Sequence, residues 1–325
     1  MNTVKVETEN LMAKEKLICP VLQQHYNLPR TSKERFLDTT EAEYLFNGLP
    51  PDVSQMLREG FLSGRRGAEI RGWEVVVDHF QNNSEIIPAL TENPGTYTML
   101  EKMYHLQPVK GVIDNYFLQC KAGGQALENR YHAINAKSFQ LVELMLKRQR
   151  NCMAVDFGSG PGRHAIEMLK RRPDFEGRVS FDCIDIDPAA IAMGEGLVRE
   201  SGIKKVKFIK RSMTKLHDLY RRNVDFGFLI GVLCGMNFEG KTDLLKVLRH
   251  YFSHGGKIIA AALSETMAEE DLLCAYNLRE TAGWILQFMP RGEFKKAFEA
   301  AGWIYEEYFQ DEPTRFYEIG VGINP

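Results

Sequence analysis

The most informative segment of the sequence is Ala154–His164, which reads AVDFGSGPGRH. A short apolar run enters a turn that contains the alternating glycines Gly158, Gly160 and Gly162, and the chain leaves this turn as a predicted helix. Glycine is needed where the backbone φ is positive, or where a ligand approaches too closely for a Cβ atom. In an open sheet of parallel strands, the carboxyl end of the first strand borders the ligand crevice. The stretch therefore predicts a strand, a turn and a helix that together bind a ligand.

The rest of residues 129–325 repeats this rhythm of short apolar runs and amphipathic stretches. Strands that alternate with helices at such spacing are typical of an α/β domain, in which helices cover both faces of a mostly parallel sheet. We expect a Rossmann-like sheet of seven strands with an antiparallel C-terminal edge, because only 5 residues separate the last two runs. The predicted strands are Cys152–Phe157, Val179–Ile184, Val206–Ile209, Val224–Ile230, Lys257–Leu263, Trp303–Phe309 and Arg315–Ile323.

Residues 1–128 have a different pattern. Turn signals such as Asn47–Pro51 and Gly123-Gly124 interrupt amphipathic segments, and the sequence has no long alternating strand pattern here. This pattern predicts a mainly helical N-terminal domain. We expect residues 1–128 to form a cap that binds substrate, in front of a ligand-binding domain formed by residues 129–325.

A second signal follows the glycine turn. The acid Asp185 ends the second apolar run and lies 23 residues after Gly162. An acid at this spacing can accept hydrogen bonds from the hydroxyl groups of a ribose. Arg163 replaces the third glycine of a dinucleotide fingerprint and no phosphate-binding lysine follows, so neither pyrophosphate nor triphosphate binding is favoured. The glycines alone would also fit a tight turn without a ligand, but Asp185 favours a nucleoside site.

Together these motifs resemble the class I S-adenosylmethionine-dependent methyltransferases, over about residues 150–325. The resemblance implies that the turn wraps the methionine part of S-adenosylmethionine, that Asp185 binds its ribose and that Ile186 packs on its adenine. Ser212 stands where the family often has an acid that contacts the adenine amino group, so Ser212 would make part of that contact. The implied cofactor-binding residues are Asp156, Gly158, Ser159, Gly160, Gly162, Asp185, Ile186, Ser212, Met213 and Gly231.

Two segments are candidates for binding the methyl acceptor. The first is the predicted helix before the first strand, which in the family often closes over the cofactor. On it, Arg130 could bind a carboxylate, while Tyr131 and His132 are the catalytic candidates, as a cover for the sulfonium and as a base. A solvated helix face would explain the same pattern. The second segment is the insertion Glu265–Met289, in which Trp284 is a candidate for substrate binding, although its aromatic residues also fit a core.

The composition argues against several other classes of protein. The 325 residues contain 41 basic and 43 acidic side chains, and the formal charge of −2 argues against nucleic acid as a partner. The longest uncharged stretch, Phe226–Phe238, is shorter than the about 18 apolar residues of a membrane-spanning helix. The 6 cysteines are scattered, and no two histidines form a metal-binding pair with a third ligand at the usual spacing. We therefore expect reduced thiols, no metal site and a cytoplasmic protein.

We expect S-adenosylmethionine-dependent methyl transfer to a small-molecule acceptor, because a separate cap suits an enclosed pocket. The expected acceptor atom is oxygen, with nitrogen as the alternative, and a homodimer is compatible with the sequence. Two other functions stay open: a non-catalytic cofactor-binding protein whose N-terminal domain binds a partner, and an aminopropyl transferase on the same fold. Aminopropyl transfer needs acids that bind a polyamine, and Val232–Asn237 supplies none.

Overall fold

A computed structural model describes residues 19–92, 97, 101, 111–120 and 122–325. Residues 1–18 of the predicted N-terminal domain lie outside this part of the chain. The described residues before the sheet are helical, as predicted. Their α-helices are α1 (Pro20–Tyr26), α2 (Arg30–Glu34), α3 (Thr40–Gly48), α4 (Pro51–Ser63), α5 (Glu74–Asn82), α6 (Ile86–Glu92), α7 (Val112–Asn115) and α8 (Ala122–Arg148), with a 3₁₀ turn at Gly67–Glu69 and a π-helical turn at Tyr116–Cys120.

Helix α4 shows why this part of the sequence is helical. Pro51 occupies its first turn, where a missing N–H group costs no hydrogen bond, and Gly64 ends it with a φ of 68°. Val53, Leu57 and Phe61 follow one another at spacings of four residues and are buried on one face. The amphipathic pattern thus becomes a helix that packs its apolar stripe into the core.

Helix α8 spans 27 residues and continues across the predicted domain boundary between residues 128 and 129. It buries Leu127 on one side of this boundary, and Ile134 and Val142 on the other. The two predicted domains therefore share a helix. The division of the chain at this position stays a prediction.

The C-terminal part of the chain is built on a sheet of seven strands. These strands are β1 (Cys152–Phe157), β2 (Val179–Asp185), β3 (Val206–Lys210), β4 (Val224–Leu229), β5 (Phe252–Leu263), β6 (Ile304–Gln310) and β7 (Tyr317–Ile323). Their order is β3-β2-β1-β4-β5-β7-β6. Strands β1 to β5 are parallel, and β7 runs antiparallel between β5 and β6. The predicted fold class is confirmed, including the antiparallel C-terminal edge.

Strand β5 is longer than the sequence predicts, because it begins at Phe252 rather than at Lys257. The polar and glycine residues His254–Gly256 interrupt its apolar pattern. The register between β4 and β5 shifts between Val224 and Phe226, so the early part of β5 pairs irregularly. An irregular strand start of this kind has no simple alternating pattern.

Helices cover both faces of the sheet. They are α9 (Arg163–Arg171), α10 (Pro188–Ser201), α11 (Phe238–Arg249), α12 (Glu265–Glu270), α13 (Leu272–Ala282) and α14 (Glu293–Ala300). One apolar cluster joins Ala154 of β1 to Ile166 of α9, and a second joins Val155 of β1 to Leu245 of α11. Since successive strand residues point to opposite faces, β1 contributes to both layers of the core.

The N-terminal helices dock on the insertion that follows β5. Tyr276 of α13 is 1% exposed. Its ring meets those of Tyr26, Phe61 and Trp73 edge-on, with centroids 5.8, 5.5 and 6.2 Å away. Its hydroxyl donates to the backbone oxygen of Arg65 at 3.1 Å. At Tyr276, therefore, the aromatic pattern of the insertion forms core.

Candidate functional site

The glycine turn joins the end of β1 to the start of α9. Gly158, Gly160 and Gly162 have φ values of 69°, 54° and 72°. These conformations favour glycine, because a Cβ atom would crowd the neighbouring backbone. The N–H groups of Gly158 and Ser159 both donate to the backbone oxygen of Ile184, at 2.9 and 3.0 Å. The turn is therefore held at the carboxyl ends of β1 and β2, where α/β sheets bind ligands.

Gly158 lies where the loops after three strands meet. A Cβ atom on Gly158 would lie 2.6 Å from Cγ2 of Val232, after β4, and 3.0 Å from Cε of Met213, after β3. Gly231, next to Val232, has a φ of 81°. The structure thus brings Met213 and Gly231, both predicted to bind the cofactor, close to the glycine turn. Val232 lies in the same loop after β4, although the sequence did not single it out as a site residue.

The substitution Gly158→Ala tests this crowding. It is expected to lower the melting temperature and to weaken S-adenosylhomocysteine binding, because a left-handed alanine costs about 1–2 kcal/mol and its Cβ atom must displace Val232. Gly202→Ala is the matched control, since Gly202 also has a positive φ, of 72°, and a Cβ atom there has no atom within 4 Å. Thermal unfolding and calorimetry measure the two effects. Equal melting temperatures for the two variants would contradict this account of the turn.

Asp185 ties the end of β2 to the glycine turn. Its Oδ2 accepts the N–H of Gly160 at 2.7 Å, and its Oδ1 accepts the N–H of Asp187 at 2.9 Å. Each carboxylate oxygen can accept a second hydrogen bond, so both can still bind ribose hydroxyls. Asp187 itself caps α10 by accepting the N–H of Ala189 at 2.8 Å. The predicted ribose-binding acid is therefore fixed by the backbone on both sides.

The residues predicted to bind adenine lie at the neighbouring strand ends. Ile186 follows Asp185 directly, and its side chain is 64% exposed. An apolar side chain so exposed offers a surface that a flat aromatic base would cover. The hydroxyl of Ser212 is 3.0 Å from that of Thr214, so it has a partner before any adenine contact. The predicted contact of Ile186 with the adenine thus has better support than the predicted contact of Ser212.

Asp156 stands at the end of β1, just before the turn. It is 2% exposed, and its Oδ2 has no hydrogen-bond partner among the described residues. Burial raises the pKa of this carboxyl to about 8, and the nearby Asp185 carboxylate adds to the rise. A buried polar atom without a partner costs free energy unless a ligand or water meets it. The site therefore fits a cofactor that brings a hydrogen-bond donor to Asp156.

The N-terminal part supplies two residues that were not predicted. A Cβ atom on Gly160 would lie 3.3 Å from Cβ of Tyr97. Glu101 is 7% exposed, and both its carboxylate oxygens accept from Nε of Arg163 at 2.8 Å. Arg163, which excluded a dinucleotide fingerprint, is thus the ion-pair partner of Glu101. Contacts across 62 residues leave no local motif, so the sequence did not indicate them.

Arg130, predicted to bind the acceptor, is 1% exposed within α8. Its guanidinium carbon lies 4.3 Å from the centroid of the Tyr317 ring. Burial raises the pKa of the Cys234 thiol, and the charge of Arg130 opposes that rise. Burial also raises the pKa of Asp311, to about 6, against a hydrogen bond from Thr314 and the charge of Arg130. The positive field of Arg130 therefore reaches the loops after β4 and β6.

Tyr131 belongs to a stack of rings beside the turn. Its ring centroid is 4.9 Å from that of His164, and His164 stacks on Phe228 at 5.2 Å. Nδ1 of His164 is 2.8 Å from Oδ1 of Asn135, which links α9 to α8. Burial, helped by the charge of Arg130, lowers the pKa of His164 to about 3. His164 is therefore a neutral imidazole at pH 7.

His132 faces another direction from Tyr131. Its side chain is 57% exposed, and its Nε2 lies 3.7 Å from Oε1 of Glu128 on the same helix. Consecutive residues of an α-helix point about 100° apart, so two neighbours rarely face one crevice. The structure brings Tyr131 to His164 and places His132 beside a surface carboxylate. The catalytic roles of Tyr131 and His132 stay predictions.

The insertion lies against the loop after β4. The N–H of Gln287 donates to the backbone oxygen of Cys234 at 2.9 Å. Lys241, which is 1% exposed, donates through Nζ to the backbone oxygen of Met236 and, at 3.5 Å, to that of Gln287. Trp284 is partly buried three residues earlier in the same segment. The segment after Trp284 thus contacts the loop after β4, and the substrate-binding role of Trp284 stays a prediction.

Several further expectations concern metals, thiols and membranes. Within the described ranges, no group of three or more histidine, cysteine or acidic side chains could hold a metal ion. The cysteines described there, at positions 19, 152, 183, 234 and 274, are free and buried. None of the helices in that part of the chain is both long enough and apolar enough to cross a bilayer.

Comparisons with known proteins identify the domain. Residues 148–302 match a family described as a methyltransferase domain. The ribosomal protein L11 methyltransferase of Agrobacterium fabrum is 26% identical over 157 residues, or 47% of this chain and 50% of that protein. The protein of the same name from Rhizobium rhizogenes is 27% identical over 159 residues. The chain thus spans about half the length of the curated relatives that it matches.

Solved structures share the fold across more of the chain. A protein of Bordetella parapertussis described as a possible exported protein has a TM-score of 0.59 and 13% identity, covering 93% of this chain and 98% of its own. Magnesium protoporphyrin IX methyltransferase from Synechocystis PCC 6803, with bound S-adenosylhomocysteine, has a TM-score of 0.53 and 12% identity, covering 78% of this chain and 99% of its own. At such identities the likeness shows the fold alone.

One prediction about partners is wrong. The sequence was interpreted as favouring a small-molecule acceptor, whereas the curated relatives are methyltransferases of a ribosomal protein. The interpretation rested on the expected cap and on the near-zero net charge, and neither feature identifies the acceptor. The expected homodimer stays a prediction.

The family match and the sheet order agree with the motifs at the ends of β1 and β2. They confirm the predicted family, and S-adenosylmethionine as its cofactor. Residues 148–302 of this chain match the methyltransferase-domain family, in agreement with the resemblance to the class I, Rossmann-like S-adenosylmethionine-dependent methyltransferases.

Proposed function

We propose that this chain transfers the methyl group of S-adenosylmethionine to a carboxylate oxygen on a protein. The observation that carries the cofactor part is the position of Asp185, whose oxygens hold the N–H groups of Gly160 and Asp187 while each keeps a lone pair for a ribose. The exposed Ile186 beside it supports an adenine contact.

The bound cofactor supplies an electrophilic methyl group on a sulfonium. The protein must hold the acceptor atom about 3–3.5 Å from this group and in line with it, which is a proximity effect. Gly158 and Val232 shape the crevice from the turn and from the loop after β4. Tyr131, packed on His164, borders the same region from α8.

Two observations support a carboxylate as acceptor. The charge of Arg130 favours anions in its surroundings, since it acts against the raised pKa values of Cys234 and Asp311. A carboxylate also needs no base, because it is already ionised at pH 7. This agrees with His164, whose pKa of about 3 makes it a poor base there.

The protein nature of the acceptor is supported by the curated relatives, which are named for methylation of a ribosomal protein. Their similarity covers 47% of this chain, and the N-terminal helices lie outside the methyltransferase-domain match at residues 148–302. Those helices dock on the insertion through Tyr276, and Glu101 accepts from Arg163 at the start of α9. We place acceptor recognition on this helical part and the insertion.

Calorimetry and labelling test the proposal in two steps. Calorimetry with S-adenosylmethionine and S-adenosylhomocysteine is expected to show micromolar binding, and its absence would contradict the cofactor site. The protein is then incubated with methyl-labelled cofactor and an extract separated by size. Label in the protein fraction that alkali releases as methanol is expected for a methyl ester. Alkali-stable label would point to nitrogen, and binding without any label would favour the non-catalytic alternative.

Arg130→Met tests the anionic acceptor. The variant is expected to lose at least about 10-fold in protein methylation, because the field that orients the carboxylate is removed while the side-chain volume is nearly kept. Arg130→Lys keeps the charge and is expected to recover part of the activity. Calorimetry and thermal unfolding of both variants separate this effect from misfolding. Equal methylation by Arg130→Met and the wild type would contradict the assignment.

A further inference from the structure

Asp156 is enclosed by groups that disfavour its charge. Its register partners are Cys183 on β2 and Phe228 on β4, and paired residues of parallel strands point to the same face. A thiol and a phenyl ring therefore flank the carboxyl group on the sheet. The third neighbour, Asp185, carries a negative charge at the end of β2. The phenyl ring and the Asp185 carboxylate cannot stabilise a second carboxylate, and a neutral thiol is only a weak hydrogen-bond donor.

The titratable groups next to Asp156 also disfavour its charged form. Burial raises the pKa of the Cys183 thiol well above its ordinary value, so Cys183 is neutral. From α9, His164 stacks on Phe228, and burial lowers its pKa to about 3, so it is neutral as well. The glycine turn contributes backbone and the hydroxyl of Ser159, which donates to the backbone oxygen of Gly160 at 3.1 Å. The buried Oδ2 of Asp156 has no hydrogen-bond partner among the described residues.

We propose that Asp156 is protonated in the ligand-free protein and releases its proton to solvent when the α-ammonium group of the cofactor binds beside it. The O–H bond of the carboxyl breaks, the proton passes to the buffer, and the carboxylate forms an ion pair with the ammonium. An opposite charge within a few ångströms favours the ionised form. The inference rests on the proposed cofactor site, in which the turn after Asp156 surrounds the amino-acid part of the cofactor.

This arrangement makes Asp156 a specificity-determining residue. A ligand that carries the nucleoside but no ammonium leaves the carboxyl neutral and gains no ion pair. A ligand with the amino-acid part gains the ion pair, but its binding also requires the carboxyl group to release a proton. The affinity of this ligand therefore depends on pH. Since burial and Asp185 place the pKa at about 8, affinity is expected to rise about tenfold between pH 6 and pH 7 and to level off above pH 8.

Calorimetry in buffers of low and high ionisation enthalpy measures the released protons. At pH 7 a carboxyl with a pKa of about 8 is about nine-tenths protonated, so S-adenosylhomocysteine is expected to release ~0.9 proton from the wild type. Asp156→Asn, which cannot ionise, reports any proton taken up by the ligand itself. 5′-Methylthioadenosine, which has the same nucleoside and no ammonium, is expected to bind the wild type with almost no release.

The outcomes separate this inference from the proposed function. Equal proton release from the wild type and from Asp156→Asn would overturn it, and so would equal release by the two ligands. If Asp156→Asn binds too weakly to measure, the comparison of the two ligands on the wild type still decides. Failure of S-adenosylhomocysteine to bind the wild type at all would instead refute the cofactor site.

Discussion

Replacing Asp185 with alanine is expected to weaken S-adenosylhomocysteine binding by at least about 100-fold. The variant loses two charge-assisted hydrogen bonds to the ribose, at about 1.5–3 kcal/mol each. It also frees the N–H groups of Gly160 and Asp187, which the carboxylate holds at 2.7 and 2.9 Å, so the turn loses its tie to the end of β2. Calorimetry on the purified protein measures the change.

Two variants control this experiment. Asp185→Asn keeps the shape and one acceptor oxygen, so an intermediate affinity is expected. Asp187→Ala removes a neighbouring acid that caps α10, and it is expected to cost about 1 kcal/mol of stability with little effect on binding. If Asp185→Ala bound within threefold of the wild type, the ribose would not lie at Asp185.

Replacing Tyr276 with alanine is expected to lower the melting temperature by at least about 5 °C. Truncating a buried aromatic side chain costs about 3–5 kcal/mol, and Tyr276 is 1% exposed among Tyr26, Phe61 and Trp73. Because these rings come from the N-terminal helices, their docking should loosen first. Thermal unfolding measures the stability, and limited proteolysis measures how readily the N-terminal helices are cut.

Tyr276→Phe is the matched control for the ring contacts. It keeps the aromatic ring and removes only the hydrogen bond to the backbone oxygen of Arg65, worth about 1 kcal/mol. A loss of stability as large as that of Tyr276→Ala would mean that the hydroxyl, rather than the ring, holds the helices on the insertion.

The cofactor side of the site was predictable because its signals are local. Gly158, Gly160 and Gly162 adopt positive φ values within one turn, and such a turn restricts the residue types that can occupy it. Asp185 follows at a spacing set by the length of one strand–helix–strand unit. The strand rhythm likewise predicted the parallel part of the sheet, whereas the irregular start of β5 at Phe252 was missed.

Contacts between residues that are far apart in the sequence were not predictable. Glu101 reaches Arg163 across 62 residues, and Tyr276 reaches Arg65 across 211, so neither contact leaves a pattern in a short window. The sequence also did not determine the directions in which Tyr131 and His132 point. Periodicity indicates that a helix forms, but a polar helix face does not show which neighbouring element it contacts. The acceptor prediction failed for the same reason: no local motif records what binds there.

The continuity of α8 has a mechanical consequence. At 1.5 Å per residue its 27 residues form a rod about 40 Å long, whose early turns belong to the N-terminal part and whose later turns lie on the sheet. A hinge between the two halves would have to bend or melt this rod, at the cost of its buried residues Leu127 and Ile134. A tilt of the N-terminal helices would instead move α8 as one rigid unit, and would shift Arg130 and Tyr131 together with it.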